Sequence, residues 1–114
     1  MPKPKGSKPV KRKVVKTRKT KLEAEIQQRL YSRLGGTTNT PTPAGNIDLL
    51  TAREVIEIKE VRLWKAAVGQ VLCYSLAYPN HRKRIHLFKS VTPEVLKIIK
   101  KHCKKFGIRV TWEP

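Results

Sequence analysis

Two short runs decide the fold: Gly45-Asn46-Ile47-Asp48-Leu49-Leu50-Thr51 and Glu54-Val55-Ile56-Glu57-Ile58-Lys59, joined by Ala52-Arg53. Each is too short for a buried helix, so together they read as a β-hairpin with a tight loop. If Ala52 and Arg53 form that loop, Thr51 pairs with Glu54 and Asp48 falls directly opposite Glu57. Cross-strand neighbours stand roughly 4.5–5.5 Å apart at Cβ, and Lys59, two residues beyond Glu57, leaves the same face. The other positions are apolar on both faces, with Leu50 and Val55 on one and Leu49, Ile56 and Ile58 on the other. Strands of that kind lie inside a sheet covered on both sides.

On the N-terminal side, Leu22, Ile26, Leu30 and Leu34 make one apolar stripe, predicting a helix over residues 20–34. Thr20 and Glu23 have the spacing of a capping box, and Gly35-Gly36 ends the helix. Residues 37–46 carry Pro41 and Pro43, which restricts them to an edge strand or an irregular approach. On the C-terminal side, residues 61–78 are apolar nearly all round, which predicts a buried helix stopped by Pro79. His81-Arg82-Lys83-Arg84 reads as a basic loop and Ile85–Phe88 as a strand. Thr92 and Pro93 open a third helix whose core side is Val95, Leu96, Ile98, Ile99 and Cys103; Gly107 ends it and Ile108–Trp112 is a last strand. The order α-β-β-β-α-β-α-β predicts an α/β domain over residues 20–114, with a mixed sheet flanked by helices.

Charge constrains the partner. The 114 residues contain 26 Lys or Arg against 8 Asp or Glu, a formal net charge of +18. Ten of these cations, and no acid, fall within residues 1–21. With Pro2, Pro4 and Pro9 there as well, residues 1–19 are expected to form a disordered basic arm. Such a surplus calls for a polyanion, nucleic acid before an anionic membrane surface. No apolar run is long enough to span a membrane, and no apolar segment follows the basic start as a signal peptide requires. Cys73 and Cys103 both sit in helical patterns and read as small core residues, which suits a reduced intracellular compartment: the nucleus in a eukaryote, otherwise the cytoplasm.

Two carboxylates and an ammonium converging on one face of an apolar hairpin require a reason, because like charges directly opposite are destabilising and their burial is costly. A divalent cation removes the conflict. Hard oxygen ligands suit Mg²⁺ or Mn²⁺, with waters and a phosphate completing the shell. The competing explanation is an Asp–Glu–Lys salt-bridge cluster on a solvated sheet face.

The stretch Gly45–Leu50 followed by Val55-Ile56-Glu57-Ile58-Lys59 resembles the PD-(D/E)xK nuclease superfamily, whose core is similar to that of restriction endonucleases and Holliday-junction resolvases. Ile47 stands where the family's name has proline. The resemblance covers residues 22–88 and implies a metal-dependent DNA nuclease. Asp48, Glu57 and Lys59 would be its catalytic centre, and Asp48, Glu57 and the Ile58 backbone carbonyl its metal ligands. It also implies an acid in the first helix; helical phase favours Glu23 over Glu25, with a helix-dipole role as the simpler alternative. Gln70, polar within an apolar helix, matches a glutamine that some members direct at the active site; an ordinary buried amide is the alternative. Expected nucleic-acid contacts are Lys11, Arg12, Lys13, Arg18 and Lys19 in the arm and Arg82, Lys83 and Arg84 near the centre. DNA is the expected partner. Cleavage of both strands needs two chains or two encounters, which leaves a homodimer open. A non-catalytic DNA-binding module retaining the fold is the alternative function, and a basic RNA-associated protein a third.

Overall fold

The computed structural model describes residues 19–114. Lys11, Arg12, Lys13 and Arg18 therefore lie outside the described residues. The order of elements is α1 (Lys21–Leu34), β1 (Thr37–Thr42), β2 (Gly45–Leu50), β3 (Glu54–Glu60), α2 (Trp64–Tyr74), β4 (Arg82–Phe88), α3 (Pro93–Lys105) and β5 (Ile108–Glu113). Short 3-10 turns, Val61–Leu63 and Ser75–Ala77, flank α2. The five strands form one sheet in sequence order. β1, β2 and β3 run antiparallel, whereas β3, β4 and β5 run parallel. The chain is thus α/β with a mixed sheet flanked by helices.

Local chemistry accounts for the boundaries. Thr20 accepts from the Glu23 N–H while Glu23 accepts from the Thr20 N–H, a complete capping box at the start of α1. Gly36 has φ +97°, and a Cβ there would stand 2.1 Å from the Leu50 carbonyl oxygen, so only glycine lets β1 enter beside β2. Thr51 N–H bonds Glu54 O, which closes the hairpin around Ala52 and Arg53. Thr92 caps α3 through the Val95 N–H, with Pro93 in its first turn.

The sheet is covered on both sides. On one face α1 buries Ile26 and Leu30 against Leu49, Ile56, Ile58 and Phe88. On the other, α2 and α3 share a cluster that joins Ala67, Val68, Val71, Ile99 and Cys103 to Val55 and Ile85. Each fully buried aliphatic side chain contributes about 1.5–3 kcal/mol, so the central strands are held from both layers.

Three sequence expectations are corrected. The helix after β3 is not buried all round: Leu76 is 83 % exposed and Leu63 37 %, because only the side carrying Ala67, Val68 and Val71 meets the sheet. Val95 and Ile98 of α3 and Cys73 of α2 likewise face outward. Arg82 to Arg84 are not loop but the first residues of β4, paired in parallel with Glu54 to Ile56; ladder partners override their low strand propensity.

Candidate active-site cleft at the β2–β3 hairpin

The pairing Leu49↔Ile56 and Leu50↔Val55 has the predicted register, so Asp48 is the next residue along β2 and Glu57 the next along β3. The ladder stops there. With Thr51–Glu54 a bonded pair, alternation makes Ile47–Ile58 a bonded pair as well. Instead, the Ile58 N–H donates to Asp48 Oδ2 at 2.8 Å. The Asp48 N–H donates to Glu57 Oε2 at 3.0 Å. On its other side, β1 pairs with β2 through Thr38↔Leu49 and Thr40↔Ile47 but steps over Asn39 and Asp48. Asn39 has φ +52°, a left-handed conformation that asparagine tolerates better than most residues. The Asp48 carbonyl, out of the ladder, accepts from Gln27 Nε2 at 2.7 Å, and the same amide nitrogen is 3.1 Å from Asn39 Oδ1. Asp48 therefore sits in a local opening of the sheet, and side chains from β3 and α1 satisfy its main chain.

This opening forms the floor of a cleft of about 330 Å³ lined by Lys19, Glu23, Asp48, Glu57, Ile58, Lys59, Gln70 and Tyr74, among others. Asp48 and Glu57 are buried, at 7 % and 3 % exposure. Burial and then the adjacent Asp48 charge push the Glu57 carboxyl up to about 9. Tyr74 is also raised, by burial first and then by the charges of Glu57 and Asp48. Its hydroxyl packs on Gly45, where a Cβ would approach to 2.9 Å at φ +135°; the glycine lets Tyr74 reach the carboxylates.

Each predicted residue within 19–114 has a definite place. Asp48, Glu57 and Lys59 meet in the cleft, as the hairpin register anticipates, and Gln70 of α2 lines it with them. Among the described residues Lys59 makes no ion pair; the cation on Asp48 is the ammonium of Lys19. The salt bridge at this centre thus joins Asp48 to Lys19 and not to Lys59. Glu23 lines the cleft, but its carboxylate is engaged in the capping box. Arg84 is 7 % exposed, with its guanidinium on Thr111 and Glu54; Arg82 is exposed and Lys83 half-buried. Gln27 and Asn39 escaped the sequence reading. The phase argument that turned Glu23 toward the sheet applies equally to Gln27, one turn later, and could have found it.

The donor set can be tested against a hard divalent cation. Gln70 Oε1 is buried and has no hydrogen-bond partner among the described residues. It lies in the same cleft as two buried carboxylates and the Ile58 backbone. An all-oxygen set with a charged pair suits Mg²⁺ or Mn²⁺, the remainder of the shell being water or phosphate. Among the described residues no three His, Cys, Asp or Glu side chains gather closely enough to form an all-protein cage.

The fold and cleft define a small α/β domain with a buried two-carboxylate centre. No family model matches the chain. It is similar to KilA-N domain-containing proteins of Acanthamoeba polyphaga mimivirus. It is 42 % identical to L33 over 88 residues, 77 % of this chain and 35 % of that protein. It is 43 % identical to L32 over 86 residues, 75 % of this chain and 23 % of that protein. With R878 the identity is 41 % over 86 residues, 75 % of this chain and 24 % of that protein. The chain thus spans about a third or less of the length of these curated relatives. No solved structure matches it.

Proposed function

We propose that the chain is a metal-dependent DNA nuclease of the PD-(D/E)xK type, with a restriction-endonuclease-like core, hydrolysing phosphodiester bonds by structure-directed or weakly specific cleavage. The observation that carries this reading is the meeting of Asp48, Glu57, Lys59 and Gln70, whose Oε1 has no hydrogen-bond partner among the described residues, in one cleft. In this reading Asp48, Glu57 and the Ile58 carbonyl hold Mg²⁺ or Mn²⁺. When bound, such an ion supplies Lewis-acid stabilisation of a phosphate oxygen and acidifies water. Lys59, without an ion pair among the described residues, orients the attacking water or stabilises charge developing on the phosphate. Gln70 accepts a hydrogen bond from that water. The net charge of +18 supplies sequence-independent affinity for DNA. The relatives are named as KilA-N domain-containing proteins, and the matched segment is a minor part of each; in this reading that segment is a nuclease-like portion.

The test is nicking of supercoiled plasmid with Mg²⁺ or Mn²⁺ by the purified chain, Asp48→Asn and Lys59→Ala. Both variants should lose most cleavage, and both should still retain DNA in a gel-shift assay. Equal metal-dependent nicking by all three would sink the assignment. Binding without nicking by the unaltered chain would favour the non-catalytic DNA-binding module.

A further inference from the structure

A second cavity lies at the loop end of the β2–β3 hairpin. It measures about 340 Å³ and is lined by Arg53, Arg82 and Arg109 together with Leu34, Thr51 and Glu54. It shares no lining residue with the Asp48–Glu57 cleft. Glu54 is one residue from Val55 and two from Ile56, which packs under α1. Alternation along β3 therefore directs Glu54 to the α1 face and Glu57 to the α2 face.

The three arginines come from different elements and are brought together by the parallel sheet. Arg53 belongs to the hairpin loop. Arg82 opens β4 opposite Glu54, and its N–H bonds the Arg53 carbonyl at 2.8 Å. Arg109 lies on β5, opposite the buried Arg84. The single acid here is already committed: Glu54 Oε1 accepts from Arg84 at 3.3 Å and Oε2 from Arg109 at 3.2 Å. Arg84 is itself fixed by Thr111 Oγ1 at 3.0 Å. Among the described residues Arg53 and Arg82 make no ion pair. Two guanidinium groups thus hold the carboxylate, and Arg53 and Arg82 line the same open cavity, a local excess of three positive charges. Holding like charges together is unfavourable unless an anion joins them. Guanidinium forks match the geometry of phosphate oxygens and bind them in pairs.

We propose that Arg53, Arg82 and Arg109 form a phosphate-binding site, separate from the Asp48–Glu57 cleft and at the loop end of the hairpin. The Glu54–Arg84 pair sets the position of Arg109 and fills the acid, which leaves Arg53 and Arg82 to close on the ligand. Leu34 supplies an apolar wall for the sugar or base attached to it. The site takes a phosphate group, either a phosphodiester of a nucleic-acid backbone or a free phosphate or mononucleotide. It does not depend on the chemistry of the cleft, because none of its groups belongs to it.

The full chain, in EDTA to keep cleavage silent, is titrated with inorganic phosphate and with a mononucleotide while the arginine Nε–Hε resonances are followed. The signals of Arg53, Arg82 and Arg109 should shift together and saturate. In parallel, duplex affinity is measured against salt for the unaltered chain, R53Q/R82Q and the charge-matched control K97Q/K100Q on α3. Loss of two backbone contacts lowers the salt slope by roughly 1–2. A drop in R53Q/R82Q but not in the control assigns the site to a nucleic-acid backbone. Saturable phosphate or mononucleotide shifts with equal slopes assign it to a free phosphate ligand. No saturable shift and equal slopes in all three proteins overturn the proposal. Asp48→Asn should change none of these readings, so failure of the nuclease assignment would leave them intact.

Discussion

Asp48 and Glu57 brace each other through the main chain: the Asp48 N–H rests on Glu57 Oε2 at 3.0 Å, while Asp48 Oδ2 holds the Ile58 N–H at 2.8 Å. The carboxylates thus replace ladder bonds at the point where the sheet opens. Their role as acceptors is separable from their role as anions, and substitutions that differ in only one of these respects should behave differently.

Asp48→Asn keeps an acceptor for the Ile58 N–H and removes a charge beside Glu57, so it should fold as well as the unaltered chain or better. Asp48→Ala removes the acceptor too. An unsatisfied buried N–H costs about 1–3 kcal/mol, which lowers Tm by about 4–8 °C per kcal/mol in a domain of this size. Thermal unfolding of the two variants side by side checks this; equal losses in both would mean that the Ile58 bond carries no weight.

The buried Glu57 gives the metal-free protein a distinctive pH dependence. Its carboxyl titrates near 9 in the folded state against 4.5 ordinarily, so between those values the folded form holds a proton that the unfolded form has lost. Stability should therefore fall as pH rises from about 4.5 toward 9. Glu57→Gln should flatten that slope and raise Tm at pH 8. A divalent cation must displace the same proton, so Mn²⁺ affinity of the unaltered chain should strengthen with pH over this window. Urea unfolding from pH 5 to 9 reads the first effect and calorimetric titration the second; a metal-free stability that climbs with pH would reverse the assignment.

Gln27 is a positioning residue, bonded to the Asp48 carbonyl and to Asn39. Gln27→Ala leaves that buried carbonyl without its partner, at a cost of about 1–3 kcal/mol. If the chain is the proposed nuclease, cleavage should fall without vanishing, and Mn²⁺ should bind more weakly because the Asp48 backbone is no longer held. A variant that loses stability but keeps full metal affinity would restrict Gln27 to a structural role.

Lys19 competes with any cation for Asp48. Their ion pair is partly exposed on the lysine side, at 25 %, and such pairs are worth up to about 1 kcal/mol. Lys19→Met should therefore tighten Mn²⁺ binding by about two- to fivefold, measured in low salt. Unchanged or weaker binding would show that the ammonium does not occupy the ion's place.

The parts of this molecule that could be read from sequence are those set by local chemistry. Thr20 and Glu23 announce the start of α1, and Ala52-Arg53 sets a register that brings Asp48 to Glu57. Gln70 stands out because it is polar among apolar neighbours. What escaped depends on the assembled sheet. Asn39 takes a left-handed conformation only because Asp48 leaves the ladder opposite it. Arg84 looks like a solvated cation until β5 brings Thr111 beside it and β3 brings Glu54. Leu76 and Ile98 carry the apolar pattern of a core, yet the sheet is too narrow to cover more than one side of each helix. Hydrophobic periodicity specifies which residues could be buried; the area available beneath them decides which are.

The contact between Lys19 and Asp48 has a geometric consequence for the residues that precede it. The chain enters the described domain at the rim of the cleft, so the cations of residues 1–18 are joined to the domain at the mouth of its carboxylate centre. A polyanion that engages them is thereby tethered, and its next encounter with the cleft is intramolecular. The point of attachment would then govern how often the cleft meets a phosphate.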